Sequence, residues 1–134
     1  MKIDHIGFVV KKIESAIERF TNVYGFAVQR EAIYDTSQHV MLAMLVSPNS
    51  YRVELIQPVD KESPSYDFME KGGGLHHFCY CVSDIESSII GMKRKGHLLI
   101  KRPVEAPLLD NRRVAFLFSK NDKQIIEIVE SREE

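Results

Sequence analysis

Two histidines and two glutamates stand at matching places in a chain that repeats itself. The stretch His5-Ile-Gly-Phe-Val-Val-Lys-Lys-Ile-Glu14 reappears as His77-Phe-Cys-Tyr-Cys-Val-Ser-Asp-Ile-Glu86, a shift of 72 residues that keeps histidine, valine, isoleucine and glutamate in phase. The same shift lays Ala43-Met-Leu-Val-Ser47 on Ala115-Phe-Leu-Phe-Ser119, and one inserted residue lays Val53-Glu54-Leu55 on Ile126-Glu127-Ile128. Imidazole and carboxylate are ligands that suit Ni, Co, Zn, Fe or Mn in an octahedral or tetrahedral nitrogen/oxygen site. Taken singly, a histidine at a strand start is an ordinary polar end group, and a glutamate between apolar neighbours can point to solvent. Their shared phase in a duplication points to chemistry. If the halves are related by a pseudo-twofold axis, His5, Glu54, His77 and Glu127 can converge as the ligands of one divalent ion, with water in the remaining positions.

The elements that must position them can be read from periodicity. Residues 3–10 alternate faces as a strand does, and then Ile13, Ala16, Ile17, Phe20, Val23 and Tyr24 recur at helical spacing until Gly25. Apolar runs at 27–34, 39–46 and 51–58, separated by turn-forming residues, read as three further strands. Ser63-Pro64 is a helix start and Gly72-Gly-Gly74 a stop, which predicts a short helix over 65–71. The order then repeats: strand 76–82, Asp84 as cap, a helix carrying Ile85, Ile89 and Met92 to Gly96, and strands at 98–101, 113–119 and 124–129. Residues 102–112 hold two prolines and no periodicity, and read as an irregular connection able to wall a site. The tail 131–134 is expected to fray. The expected class is α+β: two βαβββ modules sharing one core in a single domain, module 1 over about 1–60, a linker helix over about 61–74 and module 2 over about 75–131.

Parity within the second copy distinguishes neighbouring histidines. His76 and His77 must face opposite sides of a strand, and only His77 is in phase with His5. His39 and His97 fall out of phase and read as loop or strand-end residues. Cys79 and Cys81, one residue apart in a strand, make a poor mutual disulfide and, with no third cysteine, read as reduced thiols.

Composition narrows the partners. A chain of 134 residues with 44% hydrophobic and 28% charged residues is ordinary for a globular protein, and a net charge of −1 offers nucleic acid or anionic lipid no field. No apolar run approaches the roughly 20 residues needed to cross a bilayer, and the start enters a strand pattern at once, so a cytoplasmic protein is expected. A homodimer is expected because duplicated modules of this kind often pair.

The duplicated βαβββ pattern with His and Glu in each half resembles the vicinal oxygen chelate superfamily (glyoxalase, bleomycin resistance and dioxygenase proteins) over essentially the whole chain. Within it, Val53-Glu-Leu-Ile-Gln-Pro58, Ser63-Pro64, Phe68-Met-Glu-Lys and Gly74-Leu-His-His77 look most like the methylmalonyl-CoA epimerases. The opening Asp4-His-Ile-Gly-Phe-Val-Val, the run Val114-Ala-Phe-Leu-Phe and Ile126-Glu-Ile128 agree. The resemblance implies a mixed sheet wrapped around a metal-binding cleft, with His5, Glu54, His77 and Glu127 holding one divalent ion (Ni, Co, Zn or Mn). It implies an isomerase or epimerase that removes a proton beside a carbonyl or thioester, with Glu127 as ligand and base and Glu54 as the other catalytic carboxylate. The implied substrate is an acyl-CoA. The alternatives are a hemithioacetal isomerised as glyoxalase I does, and a non-catalytic small-molecule binding or resistance protein on the same fold; a dioxygenase fits less well because both glutamates are present.

Two departures from the epimerase pattern bear on substrate. A further glutamate is expected before the third strand, where this chain has Thr36-Ser-Gln-His39. A glycine-rich stretch and a following His-Pro are replaced by Ala106-Pro-Leu-Leu-Asp-Asn-Arg-Arg113 and Phe118-Ser119. Asp110, Asn111, Arg112 and Arg113 read first as a solvated charge cluster and second as a holder of carboxylate or phosphate.

Overall fold

Alternation in the first eight residues produces a strand with one buried face: in β1 (Lys2–Val9), His5, Gly7 and Val9 are the buried positions. A computed structural model describes residues 1–132, and these carry α1 (Ile13–Asn22), β2 (Ala27–Asp35), β3 (Val40–Val46), β4 (Arg52–Pro58), α2 (Tyr66–Glu70), β5 (Gly74–Val82), α3 (Ile85–Arg94), β6 (His97–Ala106), a 3-10 turn (Pro107–Leu109), β7 (Arg112–Ser119) and β8 (Gln124–Glu130). The chain forms two compact units, one of His5–His76 and one in which Met1–Asp4 joins the chain from His77 onward. The first has strand order β2-β3-β4-β1 and the second β5-β8-β7-β6. In each, the module's first and last strands run parallel and the rest antiparallel. Each is therefore a mixed four-strand sheet with one crossover helix, as the α+β reading expects.

Each sheet packs its helix on one face, and its other face carries the histidine and the glutamate among buried apolar side chains, Val9, Leu42 and Met44 in the first module and Val114 and Val129 in the second. Ile13, Ala16 and Phe20 of α1 meet Ala43, Leu45 and Leu55 in one core, and Ile85 and Ile89 of α3 meet Ala115, Leu117 and Ile128 in the other. Because side chains alternate, Glu54 and Glu127, next to Leu55 and Ile128, must point away from the helices. Both helix starts are held by the last strand of their own module. Gln57 Oε1 accepts from the Ile13 amide at 2.7 Å, and Glu130 Oε2 accepts from the Ile85 amide at 3.2 Å. Asp84 caps α3 as expected, accepting from the Ser87 amide at 3.1 Å.

Turns fall where glycine is required. Gly25 takes φ +77 after α1, letting the Phe26 amide return to the Phe20 carbonyl at 3.0 Å. A Cβ on Gly73 would lie 2.7 Å from the Val9 carbonyl oxygen, so the approach to β5 admits no side chain there.

Three sequence expectations are corrected. Residues 102–106 are strand, because β6 is the outer strand of its sheet and Pro103 lies inside a register shift between Lys101 and Val104, where its missing N–H breaks no ladder bond. Only residues 107–111 remain a connection. The linker helix is shorter than expected and Ser63 does not cap it: the hydroxyls of Ser63 and Ser65 lie 3.2 Å apart, buried, in the preceding turn. Ser131 is tied to β5 through its amide and the Val82 carbonyl at 2.7 Å, while the rest of the expected frayed tail, 133–134, lies outside the described residues.

The arginines of 110–113 are already engaged. Arg112 donates to the Leu109 carbonyl at 3.0 Å and to Asp4 at 3.4 Å, and Arg113 donates to both oxygens of Glu86 at 2.6 and 3.0 Å and to Glu130 at 3.0 and 3.2 Å. The Arg113 guanidinium holds the Glu86 carboxyl below its ordinary value of 4.5. A depressed folded-state value stabilises above the unfolded value, and that contribution is lost as pH falls through the folded one. Glu86→Gln should therefore flatten the stability profile below about pH 5, checked by urea denaturation at stepped pH against the parent protein.

Candidate metal centre

Parallel pairing sets the first half-site. Gly7 of β1 is the partner of Glu54 in β4, so His5, two residues earlier on the same face, leans toward that carboxylate. His5 Nε2 and Glu54 Oε1 are 3.4 Å apart, with the two residues 1% and 6% exposed. The second half-site repeats the construction. Cys79 of β5 is the partner of Glu127 in β8, and His77 Nε2 lies 3.0 Å from Glu127 Oε1. Of the five histidines in the sequence, these two face a buried glutamate, as phase alone suggested.

The other candidates go elsewhere. His76 is half-buried with its ring edge-on to Phe68, centroids 4.9 Å apart. His39 sits in the β2–β3 turn beside the Tyr34 hydroxyl, and His97 Nδ1 donates to the Met92 carbonyl at 3.2 Å. Cys79 and Cys81 form no disulfide.

Antiparallel neighbours complete each half-site with apolar surface. Met44 of β3 stands directly across from Glu54, and Phe116 of β7 directly across from Glu127. Phe116 also presents its ring edge-on to His77, with centroids 5.6 Å apart. The parallel neighbours differ: Gly7 has no side chain to set beside Glu54, whereas Cys79 puts a buried thiol beside Glu127. The duplication is therefore asymmetric at the two carboxylates themselves.

His5, Glu54, His77 and Glu127 each offer one ligand atom and all four are buried. Two ligand atoms held about 2.1 Å from one ion, at octahedral or tetrahedral angles, lie roughly 3.0–3.4 Å apart. Both His–Glu spacings meet that geometry. Burying a carboxylate costs several kcal/mol unless charge compensates it. A cation would do so in either half. Neutral imidazole and carboxylate fit a borderline divalent ion such as Ni, Co, Zn or Mn.

The turn where a further acid was sought is closed to that role. Asp35 is buried, and its carboxylate accepts from the Ser37 amide at 2.9 Å, the Ser37 hydroxyl at 2.8 Å and the Gln38 side chain at 3.3 Å. It shapes the turn. Sequence reading set turn-forming residues there without giving Asp35 this part, and it missed Gln57 and Glu130 because periodicity reports a residue's face and not its distant partner.

A family model described as the glyoxalase/bleomycin resistance protein/dioxygenase superfamily matches residues 4–116, a span that includes His5, Glu54 and His77. An ethylmalonyl-CoA/methylmalonyl-CoA epimerase of Cereibacter sphaeroides is 30% identical over 97 residues, covering 71% of this chain and 71% of that protein. The human mitochondrial methylmalonyl-CoA epimerase is 28% identical over 96 residues, 70% of this chain and 53% of that protein, so the chain spans about half of that relative's length. Among solved structures, the methylmalonyl-CoA epimerase of Mycobacterium tuberculosis matches with a TM-score of 0.86 and 25% identity, over 98% of this chain and 89% of that one.

Proposed function

The chain belongs to the glyoxalase/bleomycin resistance protein/dioxygenase superfamily, and from that premise we propose that it is a divalent-metal epimerase acting on a carbon acid beside a thioester, in the manner of methylmalonyl-CoA epimerase. The observation that carries the reading is the twice-built buried His–Glu pair, at 3.4 Å in one module and 3.0 Å in the other. We take the two pairs together as the ligands of one ion in a single 134-residue domain. Two cysteines outside any disulfide fit a reducing cytoplasm, and a homodimer completes the proposal.

A bound divalent ion would supply fixed positive charge where loss of the α-proton leaves negative charge behind. This chain's own groups do the rest. Glu127 receives the α-proton on a carboxylate oxygen, positioned by His77. Phe116 beside them excludes water from the transfer. We assign the return of a proton to Glu54, which must carry one when the substrate binds, so that the inverted product leaves Glu127 protonated and Glu54 ionised, the state that accepts the other isomer. Met44 lies against that carboxylate as Phe116 does against its counterpart.

One observation favours a second reading. Asp35 is committed to its own turn, so the β2–β3 corner supplies no free acid, and a one-base isomerisation of a hemithioacetal needs only Glu127. Proton exchange in deuterium oxide separates the two. The metal-loaded protein should incorporate deuterium at the α-carbon of methylmalonyl-CoA; incorporation only with methylglyoxal plus a thiol would select the glyoxalase I-like reading. Exchange with neither would remove both enzymatic readings and leave a small-molecule binding or resistance protein.

A further inference from the structure

In the second module, the row of directly paired residues that runs through His77 is apolar out to the last strand of the sheet. Ile125 of β8 pairs with His77, Phe118 of β7 pairs with Ile125, and Leu98 of β6 pairs with Phe118. Paired residues share a face, and so do alternate residues along a strand. Ile125, Phe118 and Leu98 therefore stand on the face that carries His77 and Glu127, with Phe116 beside Phe118. Leu117, between the two phenylalanines, turns the other way into the core under α3.

Burial is uneven on the two sides of Glu127. Val129 and Val114, in the row beyond it, are 0% and 1% exposed, whereas Ile125 and Phe118 on the His77 side are half-buried and Leu98 is 52% exposed. Open apolar surface beside the carboxylate thus lies toward Phe118. The architecture of a module does not require it. In the first module the same row is Arg52, Val46 and Ala27, and Arg52 spans it, donating from Nε to Gln29 Oε1 at 3.0 Å. Four apolar side chains, three of them already half-buried, offer far less than the roughly 800 Å² per partner of a stable protein interface. They suit one small hydrocarbon group, and they are continuous with a buried reactive pair, as the wall of a ligand site is.

We propose that Phe118, with Ile125, determines specificity by holding the hydrocarbon substituent of the reacting carbon, so that the preferred substrate bears a group larger than methyl. This rests on the epimerase reading for the chemistry at Glu127 and adds to it the class of acyl group. Ile125 lies one strand spacing from His77 and Phe118 two, so the surface begins about 5 Å from the histidine and continues for about 5 Å more. A chain of roughly four carbons or a phenyl ring spans that distance, and a methyl group does not. Phe118 is also a position where the sequence departs from the epimerase pattern, an apolar ring standing in place of a histidine.

Calorimetric titration of the metal-loaded chain with malonate, butylmalonate and benzylmalonate tests this without turnover. Each methylene laid on apolar surface is worth about fourfold in affinity, so the parent should bind butylmalonate roughly 10- to 100-fold more tightly than malonate. Phe118→Ser should bring that ratio close to unity through loss of butylmalonate affinity, and Phe118→Leu should keep most of it. A ratio near unity in the parent, a ratio that survives in Phe118→Ser, or a parent that binds none of the three overturns the proposal. If Phe118→Ser melts too early to titrate, Ile125→Thr, nearly isosteric and more polar, takes its place and should lower the ratio severalfold. Sedimentation of the same samples tests the other occupant. A parent dimer that becomes a monomer in Phe118→Ser, with no alkyl preference, would give this face to a second copy of the chain and overturn the substrate assignment. Proton exchange with methylmalonyl-CoA and butylmalonyl-CoA separates the two levels. Exchange without a preference that depends on Phe118 removes the inference and leaves the epimerase reading; alkyl preference without exchange removes the epimerase reading and leaves the apolar site.

Discussion

Glu127→Gln is expected to lower α-proton exchange by about a thousandfold, the scale on which a positioned general base contributes. Glutamine keeps a ligating oxygen and nearly the same shape, so the variant should still take up metal, at reduced affinity, while losing the carboxylate assigned to accept the α-proton. Loss of turnover with metal retained, measured as deuterium incorporation beside metal content, is thus the signature of a base and not of a ligand alone. Glu54→Gln should behave differently if the two carboxylates serve opposite faces. Exchange from one stereoisomer should persist with retained configuration, and inversion should fail. Undiminished turnover in metal-loaded Glu127→Gln would remove Glu127 from the role of base.

That contrast was legible in the sequence only in part, and the reasons are physical. A duplication preserves phase, and phase in a strand fixes the face, so His77 could be separated from His76 and paired with His5 by counting. Phase also survives the one-residue insertion between the copies. It falls between Leu117 and Ile126, in the stretch holding the turn from β7 to β8, where an antiparallel hairpin absorbs it: Met44 still meets Glu54 and Phe116 still meets Glu127. What counting cannot supply is the partner across the sheet. Gln57 and Glu130, equivalent by the same repeat, both hold helix starts some 45 residues away in sequence, and nothing local marks them. Pro103 misled in the opposite direction. A proline argues against a strand only when the strand needs its amide, and at an outer strand, within a register shift, it does not.

Metal should also be visible as stability. Protein stripped with a chelator and then given Ni, Co, Mn or Zn at about a thousandfold above the dissociation constant should gain on the order of 4 kcal/mol, because the ion binds the folded chain and not the unfolded one. For a domain of this size that corresponds to a rise of roughly 10 °C or more in Tm. The pattern across variants tests whether the half-sites act as one. A His–Glu pair alone supplies two ligands, too few for a tight site of this class. If His5 and Glu54 share one ion with His77 and Glu127, then His5→Ala in one module and His77→Ala in the other should each remove most of the rise, and titration should saturate at one ion per chain. If each pair instead bound its own ion, either variant would keep about half the uptake and the parent would saturate at two. Should no ion raise Tm in the stripped parent, the buried pairs would be hydrogen-bonded structure alone, and the Lewis acid assigned to the reaction would have to be abandoned.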